Sequence, residues 1–108
     1  MPRAVICRVL GAPEQLSFEE VPSVPVGPGE VRVRLRAAGV NFPDTLIIAG
    51  KYQFKPPLPF TPGVEAAGIV AEVAPDVARF RPGDRVITRQ RLGGYAEEIV
   101  LPASQLTP

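Results

Sequence analysis

Proline and glycine limit what this chain can fold into more than any other feature. Its 108 residues include 14 prolines and 10 glycines, and these lie between apolar segments rather than in one tract. Proline lacks a backbone donor and glycine lacks a Cβ atom, so both interrupt regular structure. Only short elements fit between them. Many short strands separated by turns are typical of a mostly β domain, either a sandwich or a barrel.

The clearest strand is the segment 30–39, in which apolar and charged residues alternate. This period of two predicts a strand with one buried face and one solvent-exposed face. The buried face would hold Val31, Val33, Leu35 and Ala37. Further strands are predicted over 3–10, 16–21, 64–74, 85–90 and 94–101, with the first two as a hairpin and the tail 102–108 as a linker or a loose end. Six or seven strands would expose fewer edges if they closed into a partial barrel.

A short helix is predicted over 41–50. Asn41 is a good N-cap, Pro43 suits the first turn, Asp44 favours the positive helix end, and Gly50 is a good stop. The next segment, 51–63, contains four prolines and reads as an extended loop with aromatic anchors.

Two residue counts exclude several kinds of site. The chain has no histidine, which excludes an imidazole base or ligand from its own residues, and it has one cysteine, which excludes an internal disulfide. Cys7, in an apolar run, is predicted to be a core residue. The net charge of +1 argues against a nucleic-acid partner. No apolar run approaches the roughly 18 residues of a membrane span, and no signal-peptide pattern is present, so a cytoplasmic location is expected.

Five motifs in a fixed order carry a family resemblance. They are GVNFPD, AGKY, PFTPGVEAAGIV, GDRV and GGYAE. In this order they resemble the N-terminal catalytic domain of medium-chain dehydrogenases/reductases, and most closely the zinc-independent quinone oxidoreductases of the zeta-crystallin type. The resemblance implies a GroES-like, partly open β-barrel over residues 1–108, with one or two short helices.

The same comparison implies that no zinc is bound. Zinc alcohol dehydrogenases carry a cysteine where this chain has Asn41, and a His-Glu pair where it has Val64 and Glu65. Asparagine and valine do not replace a thiolate and an imidazole as zinc ligands. The four-cysteine structural lobe of that branch is also missing after GDRV.

The resemblance implies hydride transfer from NADPH to the conjugated carbonyl of a quinone or enone, with a protein hydrogen-bond donor near the carbonyl oxygen. Asn41 and Tyr52 are the candidate catalytic residues. Helix capping would also explain Asn41, and aromatic packing would also explain Tyr52. The resemblance also places Asp44 and Gln90 near the substrate or cofactor. The favourable interaction of an acidic side chain with the positive end of the helix would explain Asp44 nearly as well.

Three further residues of the motifs are assigned structural roles. Gly63 and Glu65 belong to PGVE, and Glu65 is expected to be partly buried and to accept hydrogen bonds. Gly68 interrupts a strand, which indicates a bulge or a close backbone approach.

The chain contains no GxGxxG motif between a strand and a helix, so the Rossmann domain that binds the nucleotide in the family is expected to be missing. The chain alone would then be inactive. Its uncovered face would favour a homodimer. The apolar residues that motivate this idea are Leu46, Ile47, Ile48, Leu58 and Phe60.

Two alternatives to a quinone reductase domain stay open. One is the corresponding domain of an enoyl-thioester reductase, which also uses an Asn and a Tyr without zinc. The other is a non-enzymatic GroES-like binding module in the manner of a co-chaperonin, since fold does not set function.

Overall fold

Seven strands and one α-helix form the regular structure of this chain, and the computed structural model describes all residues from 1 to 108. The mostly β architecture with short helical elements is therefore confirmed. None of the helical segments has the length and apolar character that crossing a bilayer requires. The elements are β1 (Arg3–Ile6), β2 (Ser17–Glu20), β3 (Glu30–Ala38), α1 (Phe42–Ile48), β4 (Glu65–Val73), β5 (Arg85–Arg89), β6 (Glu98–Pro102) and β7 (Leu106–Thr107), with 3-10 turns at Pro13–Gln15 and Ala103–Gln105.

The strands form one hairpin and one larger sheet. β1 and β2 pair antiparallel, as predicted, and the other five strands lie in the order β6-β3-β4-β5-β7. The segment before β6 joins the two sheets. The Val5 N–H donates to the Tyr95 carbonyl at 2.8 Å, and the Leu35 N–H donates to the Glu97 carbonyl at 2.8 Å. These bonds curl the structure into the partly open barrel that the sequence predicts.

Two apolar clusters hold the fold together. Fully burying one Val, Leu, Ile or Phe side chain stabilises a fold by about 1.5–3 kcal/mol, so each cluster outweighs any single polar contact. The first cluster contains Val31, Val33, Val70, Phe80, Val86, Leu101 and Leu106; the second contains Cys7, Ile47, Ile48 and Phe60. The second cluster fixes α1 and the proline-rich loop against the end of β1. Cys7 is a core residue, as predicted.

One of the four residues predicted for the buried face of β3 lies on the surface. Val31 and Val33 are fully buried and Leu35 packs against the core, but Ala37 is exposed. The register of β3 against β4 shifts between Leu35 and Ala37. Such a β-bulge breaks the strict alternation of faces, and simple periodicity cannot anticipate it.

Gly68 lies where the backbone of β4 approaches the backbone of β3 closely. It pairs with Leu35 at the register shift, and a Cβ atom at this position would lie 2.2 Å from the Arg34 carbonyl oxygen. The close backbone approach predicted for this glycine is confirmed. Gly68 therefore serves the sheet.

The predicted limits of two strands and the predicted structure of the tail are wrong. β1 ends at Ile6 rather than residue 10, because Cys7 leaves the hairpin to bridge with Phe60. β6 begins at Glu98 rather than residue 94, because the preceding residues run along β1 instead. The tail is neither a linker nor a loose end: β7 pairs with β5, and Leu106 is only 2% exposed.

The apolar surface predicted from five residues is also wrong in its main members. Ile47, Ile48 and Phe60 are core residues, because the proline-rich loop folds back over α1. The exposed apolar side chains near the helix are instead Val40 and Phe42, at 78% and 73% exposure. Of the other two predicted residues, Leu46 is half-buried and Leu58 is 43% exposed, so most of the surface on which the expected homodimer was based is absent.

Candidate active site

The corner between β3 and α1 is built around the helix start. Asn41 occupies the N-cap position with extended backbone angles, and its N–H donates to Oδ2 of Asp44 at 3.0 Å. Pro43 lies between them in the first turn, where its missing N–H costs nothing. The Asn41 amide nitrogen donates to Oε1 of Glu65 at 3.3 Å. Glu65 accepts a hydrogen bond as expected, but it is exposed rather than partly buried.

Asp44 is the centre of a buried polar network. It is 3% exposed, and Oδ2 also accepts a 2.6 Å hydrogen bond from the Tyr95 hydroxyl. Its second oxygen, Oδ1, is buried without a partner in the chain. Burial, and then the hydrogen bond to Asp44, raise the pKa of Tyr95. The network ties the start of α1 to the segment that joins the two sheets.

Tyr95 is not among the residues predicted from the sequence. The motif GGYAE contains it, but it lies 51 positions from Asp44, and no local pattern connects the two. Most buried carboxylates accept a hydrogen bond from a nearby donor. The burial of Asp44 would have been the signal, and it is visible only in the folded chain.

A cleft of about 620 Å³ lies beside this corner. Tyr52, Gln53 and Gln90 contribute its uncharged polar groups. Tyr52 also packs against the second apolar cluster, so it is both an anchor and a lining residue. The apolar walls are Pro43, Ile47, Phe54 and Val64, and the charged lining residues are Lys55 and Arg91.

The side chain of Gln90 is fixed by a hydrogen bond to a turn that contains glycine. Its amide nitrogen donates to the Gly63 carbonyl at 3.0 Å, while its Oε1 is buried without a partner in the chain. Gly63 adopts φ +115°, and a Cβ atom there would lie 2.7 Å from Cα of Gly94. Only glycine fits this position, so Gly63 supports the cleft wall.

The predicted site residues therefore fall into two adjoining groups. Tyr52 and Gln90 line the cleft, whereas Asn41, Asp44 and Glu65 form the corner. Pro43, which belongs to the first turn of α1 and lines the cleft, connects the groups. Gly68 lies apart, in the sheet. No three His, Cys, Asp or Glu side chains converge in a way that could hold a metal ion.

Residues 27–108 match the family described as the alcohol dehydrogenase GroES-like domain. The chain belongs to this family. This GroES-like domain is 46% identical over 98 residues to quinone oxidoreductase-like protein 2 of Rattus norvegicus, a match covering 91% of the chain and 27% of the relative. It is 39% identical over 105 residues to the rat synaptic vesicle membrane protein VAT-1 homolog, covering 95% and 26%.

A solved structure gives the same result. Escherichia coli quinone oxidoreductase, complexed with NADPH, superposes on this GroES-like domain with a TM-score of 0.90 at 35% identity, covering 97% of the chain and 32% of that protein. The resemblance stated from the sequence motifs is confirmed. The domain spans about a quarter of the length of the curated relatives it matches.

Proposed function

We propose that residues 1–108 form the substrate-binding domain of a zinc-independent, NADPH-dependent oxidoreductase that reduces the conjugated carbonyl of a quinone or enone. Family membership and the named quinone oxidoreductases among its relatives support an oxidoreductase domain. The chain's own contribution is to bind and orient the carbonyl compound. The nucleotide-binding part is proposed to lie outside these residues, in the portion of the relatives that the chain does not span.

The cleft is the observation that carries this proposal. Its volume of about 620 Å³ is in the range of small-molecule sites, which are mostly apolar with a few placed polar groups. Its apolar walls suit a planar conjugated compound. The Tyr52 hydroxyl is the group proposed to donate a hydrogen bond or proton to the carbonyl oxygen, where negative charge develops during reduction. The Asn41 amide, in the adjoining corner, is proposed as a second polar contact.

The residues present fit the nicotinamide end of the cofactor rather than its pyrophosphate. The partnerless Oε1 of Gln90 is an acceptor of the kind that a carboxamide N–H requires. A pyrophosphate site needs a glycine-rich turn before a helix, whereas α1 is preceded by Asn41 and begins with Phe42 and Pro43. When bound, the reduced nicotinamide supplies the hydride.

The surface around Asn41 supports a covering second domain. Val40 and Phe42 flank it and expose 78% and 73% of their surface. Large apolar side chains exposed beside a polar site are typical of an interaction surface. We propose that the nucleotide-binding part covers these two side chains and closes the cleft.

The proposal that this chain binds the substrate but not the nucleotide can be tested on the chain itself. We expect NADPH to show no saturable change in nicotinamide fluorescence with this chain, while full-length E. coli quinone oxidoreductase does. In contrast, 2-methyl-1,4-naphthoquinone should shift the amide NMR signals of Tyr52 and Gln90. Addition of the quinone to Cys7 is not expected to interfere, because that thiol is buried and burial raises its pKa.

Either of two results would overturn the proposal. Tight, saturable NADPH binding would mean that the nucleotide site lies within residues 1–108. A quinone that leaves the signals of the cleft residues unchanged would mean that the cleft is not the substrate site.

A further inference from the structure

The cleft carries two positive charges that no acidic group balances. Lys55 and Arg91 both line it and both are exposed, and no Asp or Glu is among the lining residues. The ion pairs of the chain all use other cations, namely Arg3, Arg8 and Arg32. A cleft lined by one sign of charge attracts ligands of the opposite sign.

Arg91 is held in place without being neutralised. Its guanidinium lies over the Phe54 ring, 4.9 Å from the centroid, and Phe54 is itself a wall of the cleft. A cation–π contact orients the group but leaves its charge, and a guanidinium presents a planar fork of donors that matches a carboxylate or phosphate. Arg32 shows the contrast, because both Glu72 and Glu98 bind it.

Two acidic side chains adjoin the cleft wall in sequence. Asp44 follows Pro43, but it is buried, its Oδ2 accepts from Asn41 and Tyr95, and it is not a lining residue. The other, Glu65, follows Val64. Its Oε1 accepts the hydrogen bond from Asn41, and Glu65 is not a lining residue. The wall therefore supplies apolar contact, three neutral polar side chains and two cations without an acidic partner. A neutral quinone or enone would use only the first two of these.

We propose that the cleft selects conjugated carbonyl compounds that carry an anionic substituent, such as a carboxylate, sulfonate or phosphate. Lys55 and Arg91 bind the anion, and Tyr52 contacts the carbonyl. The inference rests on the proposed function and names its substrate class. A nicotinamide nucleotide also carries a phosphate, so the test includes a separate arm for that source.

The test compares two enones of equal size on the 108-residue chain. One is 4-phenyl-3-buten-2-one with a para-carboxylate, and the other has a para-carboxamide, which is neutral. We expect the carboxylate to bind about 3- to 10-fold more tightly at low salt, as two partly exposed ion pairs allow. The preference should disappear in about 1 M NaCl, where the Debye length is about 3 Å.

Matched variants identify the cations responsible. Lys55→Ala/Arg91→Ala should bring the ratio of the carboxylate and carboxamide affinities to about one, because any change in the shared cleft affects both enones alike. Arg91→Lys should retain only part of the preference, because it keeps the charge but loses the planar fork of donors. Arg79→Ala is the control, since Arg79 stacks on Phe80 at 5.1 Å in the same manner but does not line the cleft.

The outcomes separate this inference from the proposed function. Equal binding of both enones, or a preference that survives in the double variant, would overturn the inference while the substrate role stands. Binding of neither enone would count against both. Nicotinamide mononucleotide is titrated in parallel; Arg91-dependent binding of this nucleotide alone would assign the cations to the cofactor and overturn the inference.

Discussion

A Gly68→Ala variant is expected to lose about 3 kcal/mol or more of its free energy of unfolding. The added methyl would lie 2.2 Å from the Arg34 carbonyl oxygen and 2.9 Å from Cα of Leu35. Both contacts are with backbone, which cannot rotate away as a side chain can. The two long strands would have to separate at the bulge, and overpacking that shifts a backbone commonly costs 1–3 kcal/mol and occasionally more.

Gly27→Ala is the matched control for this substitution. A methyl at Gly27 would meet Oε1 of Glu30 at 2.9 Å, which is the far end of a flexible side chain that accepts a hydrogen bond from the Gly27 N–H. We expect a loss of less than about 1 kcal/mol, as for most surface changes. Urea denaturation followed by circular dichroism measures both. Equal stability of the two variants would contradict the close approach of β3 and β4.

An Asp44→Ala variant is expected to lose about 2–4 kcal/mol. The substitution leaves the Tyr95 hydroxyl and the Asn41 N–H without their acceptor. Hydrogen bonds to a charged group contribute about 1.5–3 kcal/mol, and a lost helix cap costs about 1 kcal/mol. Tyr95→Phe, which removes only one donor, should lose about 1–3 kcal/mol by the same measure.

A double-mutant cycle tests whether these two residues act as a pair. Combining Asp44→Ala with Tyr95→Phe should cost less than the sum of the single changes, with a coupling of about 1 kcal/mol or more. Tyr52→Phe removes a phenol from the cleft rather than from the network, and it should change stability by no more than about 0.5 kcal/mol. Additive effects of the Asp44 and Tyr95 changes would contradict the 2.6 Å hydrogen bond.

The pH dependence of stability gives a second check on the pair. Burial and the bond to Asp44 raise the pKa of Tyr95 above that of an unfolded tyrosine, which is about 10. Below that pH the stabilisation is fully present. Above it the unfolded chain loses the proton first, so the stability of the wild type falls as pH rises. The Tyr95→Phe variant should show a shallower decline above pH 10.

Local patterns predicted the elements, and long-range pairing decided their details. Alternating arginines marked β3, and Asn41, Pro43 and Asp44 marked the start of α1, because these signals depend only on neighbouring residues. The exposure of Ala37 follows from a register shift against β4. The pairing of Leu106 with Thr88 depends on where the tail returns to the sheet. Neither has a local signature.

The candidate site shows the same division. The family resemblance supplied Asn41 and Tyr52, but not their separation into a corner and a cleft. The partner of Asp44 and the cleft cations required side chains distant in sequence to be placed in space. No local pattern distinguishes Lys55 or Arg91 from other charged residues, and only the structure shows that both line the same cleft.

The most direct measurement is the activity of a chimera in which residues 1–108 replace the matching segment of E. coli quinone oxidoreductase. We expect NADPH-dependent reduction of 2-methyl-1,4-naphthoquinone, little reduction of an enoyl thioester, and a loss of at least about tenfold in kcat for Tyr52→Phe, as removal of a general acid implies. Faster turnover of the enoyl thioester would instead favour an enoyl-thioester reductase. A folded chimera that binds NADPH but reduces neither compound would contradict the substrate-binding role of this domain.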